Sequence, residues 1–267
     1  MLTPAQPVMD YQTMRLARLR DICARHEIRP DFAAKLRQLE EFEIVGLFDD
    51  SGSMATQIKK TGFQDPFAPV PTRWSEAQLH ASITVDLAAC LDPDGIDIRF
   101  LNRPGFSRVA TSAQVGAAFQ PLPNGWTPLA AAVQAILKEK EHILRERKLL
   151  LIILTDGQPT DARGNPNVAE FKRVLQTRPK NVFVSIVACT DDEASVGYLN
   201  ELDRMVPGLD VVDDYESELK EVRKVQGPKF PFSFGDYVVK TLLGSVDPTM
   251  DALDEKRLGG GGCCTIC

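Results

Sequence analysis

The chain has 267 residues, of which 43% are hydrophobic and 25% charged, with a net charge of −6 and a pI near 5.2. That length can bury one large α/β core with added elements. The acidic balance, with no basic block to neutralise a run of phosphates, argues against a DNA or RNA partner.

Met1 to Asp10 lack the basic segment and apolar core of a signal peptide, and no stretch approaches the length of a membrane span, so a cytoplasmic location is expected. From Tyr11 to Glu41, Leu16, Leu19, Ile22 and Cys23, then Phe32, Leu36 and Leu39, recur at helical spacing on either side of Arg29-Pro30. Two amphipathic helices over an open flank of the core are predicted, with Asp31 as candidate cap of the second. Ile44 to Phe48 is an uninterrupted apolar run, which suits a strand covered on both faces. It breaks into Asp49-Asp50-Ser51-Gly52-Ser53. Asp49 then falls at the strand's C-terminal end, where open α/β sheets bind ligands, and Asp49, Ser51 and Ser53 alternate so that a curling loop can aim their oxygens at one point. A carboxylate with hydroxyls suits a small hard cation. The plainer reading is a helix-capping cluster, because Ser and Asp favour such turns in any case.

Ala55 to Pro71 carries Gly62, Phe63, Pro66, Phe67, Pro69 and Pro71 and reads as a proline-stiffened loop. A helix from Trp74 to about Leu91 comes next, with Thr72 as candidate N-cap, Ala77, Ala81, Ala88 and Leu91 facing the sheet, and His80 and Cys90 as packing residues. Gly95 to Asn102 is predicted as a strand, Phe106 to Val109 as a short antiparallel edge strand, and Ser112 to Phe119 as a helix. Pro121, Pro123 and Gly125 enforce a turn that presents Thr127, and Pro128 opens a helix expected to reach Leu144. Lys148 to Thr155 reads as a central strand ending at Asp156, and Asn181 to Cys189 as a second buried strand. Helices are expected over Val168 to Gln176, Val196 to Met205 and Tyr215 to Val225, with a short strand over Leu209 to Val212. This alternation predicts a doubly wound, mostly parallel sheet. Phe230 to Leu243 is expected to pack back on the core, and Gly259 to Gly262 reads as a flexible tether.

Three stretches together carry a resemblance. Asp49-x-Ser51-x-Ser53, Gly125-Trp126-Thr127-Pro128-Leu129 and Leu151-Ile152-Ile153-Leu154-Thr155-Asp156-Gly157 resemble, in order and separation, the metal-ion-dependent adhesion site of von Willebrand factor type A domains. The likeness spans Glu41 to Val225 and implies a Rossmann-like fold with one antiparallel edge strand and added N- and C-terminal helices. It divides the chain into an N-terminal helical extension over 1–40, the family's domain over 41–226, a C-terminal extension over 227–258 and a Gly/Cys tail over 259–267. The resemblance implies that Asp49, Ser51, Ser53, Thr127 and Asp156 hold Mg²⁺ or Mn²⁺, the hydroxyls directly and one or both aspartates through water. Asp50 stands at a variable position and receives no ligand role. Ala55 to Pro71 departs from the family, which passes directly into its first helix.

A shell of this kind leaves room in the six-oxygen coordination of Mg²⁺, where a partner protein's acidic side chain is expected to enter. The expected function is therefore an intracellular protein-interaction module. The alternatives are a metal that serves stability alone and a Mg²⁺-dependent phosphoryl-transfer enzyme. The second is disfavoured: no G-x-x-x-x-G-K-[ST] or G-x-S-x-G motif is present, His26, His80 and His142 fall away from the predicted site, and Ser51 stands where an aspartyl-phosphate enzyme would want a second aspartate.

The six cysteines form no disulfide framework, with Cys23, Cys90 and Cys189 in apolar segments and Cys263, Cys264 and Cys267 at the end. Cys264-Thr265-Ile266-Cys267 resembles a C-a-a-X prenylation signal, with an atypical Thr265 and terminal cysteine. Cys263 offers a second acylation point, and two lipids would anchor the chain to a membrane where one binds marginally. Incidental thiols, or a Cys264-x-x-Cys267 zinc half-site, are the competing readings.

Overall fold

The computed structural model describes residues 11–58, 70–92, 94–190, 192 and 196–258. The candidate lipidation residues Cys263 and Cys264, and Gly62, Phe63, Pro66, Phe67 and Pro69 of the predicted loop, lie outside them.

Six strands form one sheet: β1 (Phe42–Phe48), β2 (Ile96–Phe100), β3 (Phe106–Val109), β4 (Lys148–Thr155), β5 (Val182–Ala188) and β6 (Leu209–Val212). Their order is β3-β2-β1-β4-β5-β6, with every neighbouring pair parallel except β2 and β3. The helices are α1 (Tyr11–Arg25), α2 (Pro30–Lys35), α3 (Arg73–Ala88), α4 (Ser112–Phe119), α5 (Leu129–Glu139), α6 (Val168–Gln176), α7 (Leu199–Met205), α8 (Tyr215–Gln226), α9 (Phe234–Leu243) and α10 (Pro248–Asp251). This is the doubly wound, mostly parallel α/β architecture that the sequence predicts, with the single antiparallel edge strand in its expected place.

The period-2 geometry of strands divides the core into two layers. In β4, Leu150, Ile152 and Leu154 face one layer, with residues of α1 to α4 and α9. Leu149, Leu151 and Ile153 face the other, with α5, α6 and α7. Phe234–Leu243, expected to pack back on the core, is buried in the first layer along almost its whole length.

Several boundaries depart from the sequence reading, among them those of α2, α3 and α5. Pro30 occupies the first position of α2, which makes Arg29 the N-cap residue, and Asp31 instead lies in the first turn, ion-paired to Arg29 at 2.8 Å. Helix α3 closes at Ala88 and continues to Leu91 only as a turn. Helix α5 stops at Glu139, five residues before Leu144, because Lys140 turns inward. Its ammonium is 2.7 Å from Glu43 Oε1 and 2.8 Å from Asp97 Oδ2, an arrangement a straight continuation would give up.

Strand order reverses between β1 and β4, whose chains leave for opposite halves of the sheet. A crevice opens at the C-terminal ends of strands at such a switch point. Asp49 directly succeeds β1 there and Asp156 succeeds β4, and the Asp49 N–H donates to Leu154 O at 2.9 Å.

Candidate metal centre

The loop after β1 folds on its own first side chain. Asp49 is fully buried; its Oδ1 accepts from Ser51 N at 2.8 Å and its Oδ2 from Thr155 Oγ1 at 2.7 Å. Burial pushes the Asp49 carboxyl up to about 6; the Thr155 hydrogen bond opposes this and the Asp156 charge adds to it. Ser51 Oγ lies 3.1 Å from Ser53 Oγ, and Ser53 Oγ donates to Asp156 Oδ1 at 2.7 Å. Ser51 occupies the N-cap position of the 3-10 turn Gly52–Ala55, yet its side chain makes no capping hydrogen bond. The serine hydroxyls are thus spent on each other and on Asp156, and the plainer capping reading does not account for them.

Thr127 arrives from the loop before α5 and is placed by its backbone. Its N–H donates to Thr160 Oγ1 at 3.0 Å, and its carbonyl accepts from Thr160 N at 2.9 Å and Leu129 N at 2.8 Å. A Cβ built on Gly157 would lie 3.8 Å from Thr127 Oγ1, so the hydroxyl stands beside the start of the loop after β4. Among the described residues no hydrogen bond joins that hydroxyl to the other four candidates. Gly125 makes the approach of this loop feasible: its φ is +121°, and a Cβ there would meet the Asn102 amide at 2.5 Å.

Several residues the sequence did not single out complete the neighbourhood. Asp50, also buried, accepts from Asn102 N at 2.8 Å, Asn102 Nδ2 at 3.0 Å and Arg103 Nε at 2.6 Å. Its carbonyl accepts from Asn124 N at 2.6 Å, so Asp50 ties the first loop to the loops after β2 and before α5. The Arg103 guanidinium lies 5.1 Å from the ring centres of Trp74 and Phe100, which pack with Phe119 beneath the loops. Arg73, at the start of α3, donates to Asp156 Oδ2 and to Thr190 Oγ1, both at 2.7 Å. Asn102-Arg103 was legible in principle, because a predicted strand end rich in polar residues falls at the same end of the sheet as Asp50. Nothing local marks Arg73, which is 83 positions from Asp156.

The donor set fits a hard cation. Asp49 and Asp156 are buried and the Asp156 charge adds to burial in raising the Asp49 carboxyl, two hydroxyls share the Asp49 loop while a third stands on the loop before α5, and Ser53 is exposed, so the cluster meets solvent on one side. Among the described residues no group of three or more His, Cys, Asp or Glu could hold a metal.

No family model matches the chain, and no curated protein matches it. Among solved structures, the D319A mutant of the PilB minor pilin from Streptococcus sanguinis is similar over 80% of this chain and 62% of its own, with a TM-score of 0.50 and 11% identity. The chain therefore spans about three fifths of that pilin's length, and at this identity the likeness concerns the fold alone. Manganese-loaded TRAP protein from Plasmodium vivax aligns at a TM-score of 0.40 and 16% identity, over 67% of this chain and 71% of its own. The pilus adhesin SpaC from Lactobacillus rhamnosus GG aligns at 0.45 and 11%, over 76% and 31%. Among the described residues no helix is long and apolar enough to cross a membrane.

Proposed function

We propose that the chain is a metal-dependent protein-interaction domain of the von Willebrand factor type A kind, in which Asp49, Ser51, Ser53, Thr127 and Asp156 hold Mg²⁺ or Mn²⁺. When bound, the ion would supply a Lewis-acidic point for an acidic side chain of a partner protein. The observation that carries this reading is the linked set Ser51, Ser53 and Asp156, closed by 3.1 and 2.7 Å contacts beside the fully buried Asp49. Hydroxyls so placed leave their remaining lone pairs for a hard cation, and the exposed Ser53 keeps one side of the set open to a partner. The loop braces at Asp50 and Thr160 hold the three segments in register before any ligand arrives.

Calorimetric titration with MgCl₂ and MnCl₂ tests the metal. Saturable binding in the wild type, lost in Asp49→Ala, is expected; equal affinity in both would sink the proposal. Recovery of bound proteins from the parent cell with and without chelator then tests the interaction, which should be lost with chelator. Metal-dependent phosphate release from phosphoesters, abolished by Asp49→Asn, would replace this reading with an enzyme.

A further inference from the structure

Arg73 is held at the candidate centre by its own helix. Thr72 caps α3, with its Oγ1 accepting from Ser75 N at 3.1 Å, and the Arg73 N–H donates to Thr56 O at 3.0 Å, so the side chain starts from a fixed base. From there one guanidinium nitrogen pairs with Asp156 Oδ2 at 2.7 Å and the other reaches Thr190 Oγ1 at 2.7 Å. The Asp156 side chain has no solvent exposure, whereas that of Arg73 is 20% exposed. Both oxygens of Asp156 are thus engaged, Oδ1 by Ser53 and Oδ2 by Arg73.

Charge balance sets arginine and metal in competition. Without a bound ion, Asp156 is paired with a guanidinium that cannot shed its proton, and Asp49 stands beside it as a second carboxylate. With a divalent ion and the guanidinium both in place, three positive charges would gather on Asp49 and Asp156, with Glu76 as a further carboxylate in the neighbourhood, where partial burial leaves water to screen poorly. The two cations would compete for Asp156, and the partly exposed arginine, anchored by a neutral threonine, is the one with a route to solvent.

We propose that Arg73 is a built-in counter-ion of this centre: it neutralises Asp156 in the ion-free chain and must release it for a divalent ion to be held at full strength. The inference rests on the metal reading above and adds its regulation. Arg73 is a positioning residue here, acting through Asp156. Its presence weakens ion binding, and in exchange it keeps the folded, ion-free chain from carrying an uncompensated buried carboxylate.

The test uses the full chain, titrated calorimetrically with MgCl₂ and MnCl₂ and melted in chelator and in saturating Mg²⁺. Arg73→Gln should bind Mg²⁺ about ten-fold more tightly than wild type, a difference of about 1.4 kcal/mol. It should melt lower than wild type in chelator and gain more from Mg²⁺. Arg73→Lys, which keeps the charge, should fall between the two. Thr190→Val, which removes one anchor and leaves the charge, should tighten binding about two-fold and serves if Arg73→Gln does not fold in chelator. Unchanged or weaker Mg²⁺ binding in Arg73→Gln, with Asp49→Ala still abolishing it, overturns the counter-ion inference and leaves the metal reading standing. Absence of Mg²⁺ and Mn²⁺ binding in wild type and Arg73→Gln alike removes both.

Discussion

Asp49 and Asp156 form one acid-rich buried cluster, and another, around Lys240 of α9, is built on different lines. Lys240 is 1% exposed, and its ammonium lies 3.0 Å from Glu218 Oε1 and 3.3 Å from Asp254 Oδ1. Asp210 of β6, equally enclosed, packs against the backbone of Gly244 so closely that a Cβ there would overlap its carboxylate. Burial pushes the carboxyls of both Asp210 and Glu218 up to about 7, against the pull of Lys240. Burial would lower Lys240 in turn, but Glu218, Asp210 and Asp254 outweigh it and raise its affinity for the proton. The counter-charge of this cluster is sealed inside. That of the candidate centre sits on a partly exposed arginine, beside the hydroxyls of Ser51 and Ser53. Buried acids alone therefore do not set the two places apart; a partly exposed counter-ion and neighbouring hydroxyls do.

The sharpest break in this comparison should come from Lys240→Met. Removing the cation from a closed cluster leaves charges that cannot reach water, and a loss of about 3 kcal/mol or more is expected in urea unfolding at pH 8. The deficit should shrink towards pH 5.5, where Asp210 and Glu218 take up protons. The same groups give the wild type a pH dependence of definite sign. From ordinary values of 3.8 and 4.5, both rise to about 7 on folding, so between these limits the folded chain binds more protons than the unfolded one. Their contribution to stability is present below about pH 4 and is lost as the pH rises through 7. Denaturation midpoints should accordingly fall more steeply over this interval in wild type than in Glu218→Gln; parallel profiles would show that burial does not perturb Glu218 as described.

Strands β4 and β6 and helices α4 and α6 were legible to the residue, because their apolar patterns stop where turn-forming residues begin. The strand-end placement of Asp49 and Asp156 was legible for the same reason, since a buried strand has to finish before a charged loop starts. The end of α5 was not: Lys140 reads as an ordinary surface residue until Glu43 and Asp97, from β1 and β2, are brought beneath it. Arg73 is hidden in the same way. A cation that pairs with a buried acid leaves no local pattern, since its partner is chosen by topology. Asp50 reads as a variable loop position, although its burial makes Asn102 and Arg103 necessary to it.

Two substitutions within the centre should separate its internal bonding from its capacity to hold an ion. Ser53→Ala removes the hydroxyl that donates to Asp156 Oδ1 at 2.7 Å. In chelator it should lower stability by about 1 kcal/mol, the usual net worth of one such bond. Thr127→Ala should cost less. The loop before α5 is held through the backbone of Thr127, by Thr160 and Leu129, and the alanine keeps those bonds. Its unfolding free energy in chelator should stay within about 0.5 kcal/mol of wild type. If the Thr127 hydroxyl serves only as an ion ligand, Mg²⁺ affinity should drop in this variant while stability without Mg²⁺ does not. A matching loss of stability in chelator would instead make the hydroxyl part of the loop's own framework, and the candidate centre would then have four ligand residues in place of five.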